Sequence, residues 1–149
     1  MANPTTTAQR VFDLAMGLMD EVNETSGGTD DADTREYKVR TLLILNALRG
    51  ELFPYSDTYA AEEPGKRPIL AVIQSFDQVI GMDDYICQSV LPYGLAAQLL
   101  LDENPDSASF FQQRYEEMRM NLAKGLPQQS ESISDVYGIV SPYNEFSRW

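Results

Sequence analysis

Carboxylates are the side chains this sequence carries in number and in pairs, so any chemistry is sought there first. Asp30-Asp31-Ala32-Asp33 could open a calcium loop, Asp83-Asp84 could serve as a carboxylate pair in acid–base or metal-assisted work, and Glu116-Glu117 offers a further pair. The calcium pattern fails on spacing. Counted from Asp31, the sixth position is Glu36 where a glycine is needed for the turn, and the twelfth is Leu42 where a bidentate Glu belongs. Asp83-Asp84 stands just ahead of an apolar helical pattern, where acidic residues cap free N–H groups, and Glu116-Glu117 falls on the wet side of a later helix. The chain has no histidine, which removes the commonest general base and every Ser-His or Cys-His nucleophile. Cys87 is the one cysteine, too few for a zinc site, and it reads as a small buried hydrophobe. No phosphate-cradling glycine motif is present. Phe110, Phe111 and Tyr115 could wall a ligand pocket, yet their helical spacing with Met118 and Leu122 suits a core face. The residues therefore point to no catalytic set, no cofactor and no metal, and to a protein that is not an enzyme.

The elements that would position these groups are helical. Asn104-Pro105 is a helix start, with an Asx cap and then a proline where its missing donor costs nothing. The helix it opens carries Ala108, Phe111, Tyr115, Met118 and Leu122 on one face, and Lys124-Gly125-Leu126-Pro127 closes it. Ahead of that corner, Ile86, Val90, Leu91, Leu95, Ala96, Leu99 and Leu100 imply a helix buried nearly all round. Pro92 makes that helix either kink or restart with the proline in its first turn. Residues 83–125 thus form a helical hairpin around which the rest is organised.

Nearer the start, Thr6 or Thr7 caps a first helix with Ala8, Val11, Phe12, Ala15, Leu18, Met19 and Val22 inward. Glu24 to Asp33 reads as a flexible connector. Asp33 with Glu36 resembles a capping box opening a second helix, with Tyr37, Thr41, Ile44, Leu45 and Leu48 inward, loosened at Gly50 and stopped by Pro54. Residues 54–68 form a long loop bearing Tyr55 and Tyr59. The run 69–76 suits strand or helix by periodicity, and the reading favoured is a short helical turn followed by extended chain through Met82. After a polar spacer the C-terminal residues Val136, Tyr137, Ile139, Val140, Tyr143, Phe146 and Trp149 follow neither period, as in an arm that docks elsewhere. The expected fold is mainly α: an antiparallel bundle of four or more helices in one domain spanning 1–149, with a core over about 7–126 and an arm over about 127–149.

Bulk properties bound the partners. At 149 residues with 43% hydrophobic content the chain can bury a real core. Eleven basic residues against 23 acidic ones give a formal charge of −12, which argues against binding DNA phosphates or anionic membranes. The polar, threonine-rich first dozen residues do not read as a secretory signal, and no apolar run approaches the ~18 residues of a membrane span. A soluble protein made in a cytoplasm is expected.

The segments TAQRVFDLAMGLMDEV, YKVRTLLILNALRGEL and above all LPYGLAAQLLLDENPDSASFFQQRYEEM (Leu91 to Met118) resemble small helical head–tail connector, or neck, proteins of tailed bacteriophages and prophages. The resemblance spans most of the chain except the connector and the arm. It implies a structural virion protein, assembled in the bacterial host cytoplasm, that forms a ring of identical subunits beneath the portal around the DNA channel. Its partners would be the portal, neighbouring neck and tail proteins and further copies of itself, with DNA passing nearby unbound. In that family arms and loops make the contacts, which here would be the 54–68 loop and Val136 to Trp149. The alternative reading is a small acidic helical binding module, a regulator or assembly chaperone that pairs with a basic partner.

Overall fold

The computed structural model describes residues 3–21, 24–25, 27–58, 67 and 69–125, and the protein in this range is mainly helical. In chain order the helices are α1 (Ala8–Leu18), α2 (Arg35–Leu52), α3 (Asp84–Ser89), α4 (Leu91–Leu99) and α5 (Pro105–Gly125), with a 3₁₀ turn at Phe53–Tyr55. Helix α4 is central and packs on α5, α1, α2 and α3. Its content explains the position: Leu91, Leu95, Ala96 and Leu99 are all fully buried, and only Gln98 of this helix is exposed. Each such leucine contributes roughly 1.5–3 kcal/mol by leaving water.

Pro92 resolves the choice posed by the sequence. The chain restarts rather than kinks, ending α3 at Ser89 and placing Pro92 in the first turn of α4. Helix α5 begins as expected, with Ser107 N–H donating to Asn104 Oδ1 at 3.2 Å. Helix α1 begins at Thr7, whose hydroxyl accepts from Arg10 N–H at 3.3 Å. The N–H groups of Ala8 and Gln9 donate to the carbonyls of Gln78 and Phe76 at 3.1 and 2.9 Å, so a distant segment completes this cap. At the other end of the core, Arg40 of α2 donates to the carbonyl of Leu99 at 3.1 Å and satisfies the last turn of α4.

The start of α2 departs from the sequence reading. Thr34, and not Asp33, is the N-cap residue, and it makes no capping bond to the helix. Its buried hydroxyl donates instead to the carbonyl of Thr29 at 2.6 Å. Asp31 Oδ1 accepts from the N–H groups of Asp33 and Thr34 at 3.0 and 3.1 Å, an Asx turn that fixes the entry into the helix. Thr29 also donates to Asp13 of α1 at 2.6 Å, so the described part of the expected flexible connector is bonded to the core. Helix α2 continues through Gly50 to Leu52, and Pro54 follows in the 3₁₀ turn.

Residues 69–74 form neither of the alternatives considered for them: there is no helical turn, and no strand forms among the described residues. The reason lies in α2. Asn46 donates to the carbonyl of Ile73 at 3.1 Å and accepts from its N–H at 2.9 Å, replacing the peptide of a missing neighbouring strand. Arg49 donates to the carbonyls of Ala71 and Ile80. Backbone groups satisfied by side chains need no ladder. A turn at Ser75–Gln78 leads to an isolated antiparallel bridge between Val79 and Thr7.

Candidate interaction surface

Helix α5 has 21 residues and α4 has nine, lengths of about 32 and 14 Å at 1.5 Å per residue. Only the first half of α5 therefore finds α4 beside it. Ala108, Phe111 and Tyr115 are buried there, while Met118 and Leu122, on the same face, are half-buried. Those last turns run beside α3, and between the two lies an open groove. It consists of two adjoining concavities of about 410 and 600 Å³, both lined by Tyr85, Arg114 and Met118. The first is also lined by Tyr55, Ile86 and Leu122 with the polar Asp57, Asp83 and Asn121, the second by Leu14, Leu18 and Tyr93 with Asp13 and Gln88. Tyr85 is 70% exposed, a large aromatic side chain left open to water in both concavities. Arg114 pairs with Glu117 at 3.3 Å, both side chains about half exposed, so the groove's cation remains open to solvent.

A second apolar surface lies on the outer side of α2. Val39 and Leu43, one turn apart, are each 78% exposed, and Gly50 two turns on has open space where a side chain would stand. Ile69, at 94%, and Val72 stand exposed on the segment that α2 holds. Exposed apolar side chains one turn apart on a helix, as at Val39 and Leu43, are the kind that contacts between proteins use.

The carboxylate pairs take other places. Asp83 sits at the N-cap of α3 but makes no capping bond there; its carboxylate accepts from Ser56 Oγ at 3.2 Å and Asp57 N–H at 3.0 Å. Asp84 accepts four hydrogen bonds, from the N–H and hydroxyl groups of Thr5 and Thr6, at 2.7–2.9 Å. The Thr5 N–H foremost, and then the Thr6 and Thr5 hydroxyls, hold this carboxyl far below its ordinary range. The expected caps are thus clasps that tie α3 to the chain start and to the turn after α2. Glu116 is half-buried, bonded to Gln112 at 3.0 Å and to Arg119, while Glu117 is exposed.

Asp20, Glu21, Glu24, Asp31 and Asp33 share a shallow acidic concavity of about 300 Å³, but no three carboxylates among the described residues are grouped to hold a metal ion. Cys87 is fully buried, and burial pushes its thiol up to about 12. The hydroxyl of Tyr37 donates to Glu103, and that bond, with burial, raises it to about 12. Tyr115 is raised further, first by burial and then by its 2.8 Å bond to Glu51. Phe111 and Tyr115 are core, and Phe110 beside them is exposed. No helix among the described residues is long and apolar enough to cross a membrane.

Of the residues expected at an interface, Tyr55 is half-buried and lines the groove. Tyr59, Val136, Tyr137, Ile139, Val140, Tyr143, Phe146 and Trp149 lie outside the described residues. Sequence reasoning missed Tyr85 and Arg114. The signal was present in the unequal spans of the two hairpin helices, which leave the apolar periodicity of α5 running past its partner. No protein-family model matches the chain, and no curated protein or solved structure matches it either.

Proposed function

We propose that this chain is a structural protein of a tailed phage or prophage, a head–tail connector that assembles as a ring beneath the portal. The observation that supports this best is the open, partly apolar groove along α5, with the exposed Val39 and Leu43 of α2 as a second surface. A ring of identical subunits needs two different, complementary surfaces on each copy, and one patch alone would give only a symmetric pair. In this reading the protein is one domain, an antiparallel bundle of four or more helices, with the 54–68 loop and the arm from about residue 127 as its contact elements. The formal charge of −12 has a use in such a ring: an acidic lumen repels DNA phosphates and lets the duplex slide past unbound. The chain acts by contact, without catalysis, in the virion after assembly in the host cytoplasm.

A second reading is favoured by the acidic concavity around Asp20 and Asp31, which suits a basic partner of a small regulator or assembly chaperone. Electron microscopy and light scattering of the protein mixed with the portal encoded beside it separate the two. Rings on the portal support the connector, and a small stoichiometric complex with a basic protein supports the regulator.

A further inference from the structure

We propose that the groove between α3 and α5 receives residues 136–149 of a second copy of this chain. The choice of a second copy rests on the assembly reading above. Three observations lead there. The groove is open and mixed in character: Tyr85 is exposed in it and Met118 and Leu122 are only half-covered, while Asp57, Asp83, Arg114 and Asn121 supply polar walls. The chain itself supplies a matching ligand, since residues 136–149 carry seven large apolar or aromatic side chains, from Val136 to Trp149, interspersed with polar ones, as in segments that dock in a groove.

Length then selects the donor. Leu122, on the groove wall, is three residues before the end of α5 at Gly125. A return into the same subunit's groove therefore needs only a short reversal. The polar spacer Leu126–Asp135 has ten residues and reaches about 33–36 Å when extended. A body of about 125 residues has a radius of gyration near ~14 Å, hence a diameter near ~36 Å. The spacer thus spans one subunit. It is redundant for closing on its own groove and sufficient for reaching the next one. A segment given forward and a groove filled from behind make a head-to-tail contact, which closes into a ring when the rotation between copies permits.

Trp149 is the chain's single tryptophan, so its fluorescence reports on this segment alone. The full chain is diluted over several decades of concentration while emission and mass by light scattering are followed together. The proposal expects the emission to shift to the blue as mass rises, with one common midpoint. Met118→Glu, at a half-buried groove position, should move that midpoint at least tenfold higher with the far-UV circular dichroism unchanged. Tyr85→Ser, at an exposed position, should act in the same direction and guards against misfolding of the first variant. A blue emission that persists unchanged on dilution would mean that the chain fills its own groove, and would overturn the proposal. So would association indifferent to both substitutions, or a Trp149 that stays solvent-exposed throughout. Concentration-linked burial of Trp149 without rings or portal binding would retain this contact and remove the connector reading. Rings on a portal with Trp149 exposed would do the reverse.

Discussion

Gly94 and Gly50 offer one substitution with opposite expected signs, and the reason is local geometry. Both lie inside helices, α4 and α2 respectively. A Cβ at Gly94 would stand 2.9 Å from Cδ2 and Cε2 of Tyr115 and 3.1 Å from Cδ1 of Leu48. The Tyr115 ring is 1% exposed, and its hydroxyl is tied to Glu51 at 2.8 Å, so it has nowhere to retreat. Overpacking of this kind costs about 1–3 kcal/mol. Moving the ring also weakens a hydrogen bond to a charged partner, a further contribution of roughly 1 kcal/mol once water re-solvates the carboxylate. Alanine regains about 1 kcal/mol of helix propensity, so Gly94→Ala should destabilise by roughly 1–3 kcal/mol. At Gly50 nothing lies within 4 Å of the added atom, so only the propensity gain remains. Gly50→Ala should stabilise by roughly 0.5–1 kcal/mol. Urea unfolding followed by circular dichroism measures both at once, and the two midpoints should fall on either side of wild type. Equal stability of the two variants would refute the tight crossing of α4 over Tyr115, and with it the placement of α5 that creates the groove.

The remaining expectations are more local. Asp84 is ionised far more easily in the fold than in the unfolded chain, so its contribution is present above the ordinary carboxylate pKa near 3.8 and fades as pH falls below that value toward the depressed one. The stability gap between wild type and Asp84→Asn should accordingly be constant near neutrality and shrink on acidification, and a gap that widens in acid would contradict the clasp. Cys87, buried with its thiol near 12, should resist a thiol reagent in the native protein and react fully in denaturant, as absorbance of the released reagent group would show. Asn46→Ala removes both bonds to Ile73 and should cost roughly 1–3 kcal/mol, with new proteolytic cuts in residues 69–82; cuts unchanged from wild type would mean that α2 does not hold this segment.

What could be read directly from the sequence followed short-range rules. The Asn104-Pro105 start, the Thr7 cap and the inward faces of α1 over Ala8, Val11, Phe12 and Ala15 and of α5 over Ala108, Phe111 and Tyr115 depend on residues within one or two turns, and the structure has these in place. Leu18 and Met19 are half-buried, and Val22 lies outside the described residues. Two of the misreadings involve partners far along the chain. For Asp84, a carboxylate that caps its own helix looks the same in sequence as one that reaches Thr5, 79 residues away. Residues 69–74 follow no period because Asn46 and Arg49, more than 20 residues earlier, satisfy their backbone. A third is local: Asp33 with Glu36 matches the capping-box spacing, yet Thr34 stands at the N-cap and Asp31 makes the turn ahead of it. The groove was half legible. Met118 and Leu122 were read as core from their period, and they are half-exposed because α4 is too short to cover them.

The claim that matters most is that this protein works by fitting against neighbours. Negative-stain electron microscopy of the full chain with the portal from the same genome addresses it most directly, alongside a form lacking residues 136–149. Closed rings seated on the portal with the full chain, lost on truncation while helicity is retained, are the expected result. Particles no larger than a single subunit, unchanged by the portal or the truncation, would contradict the account.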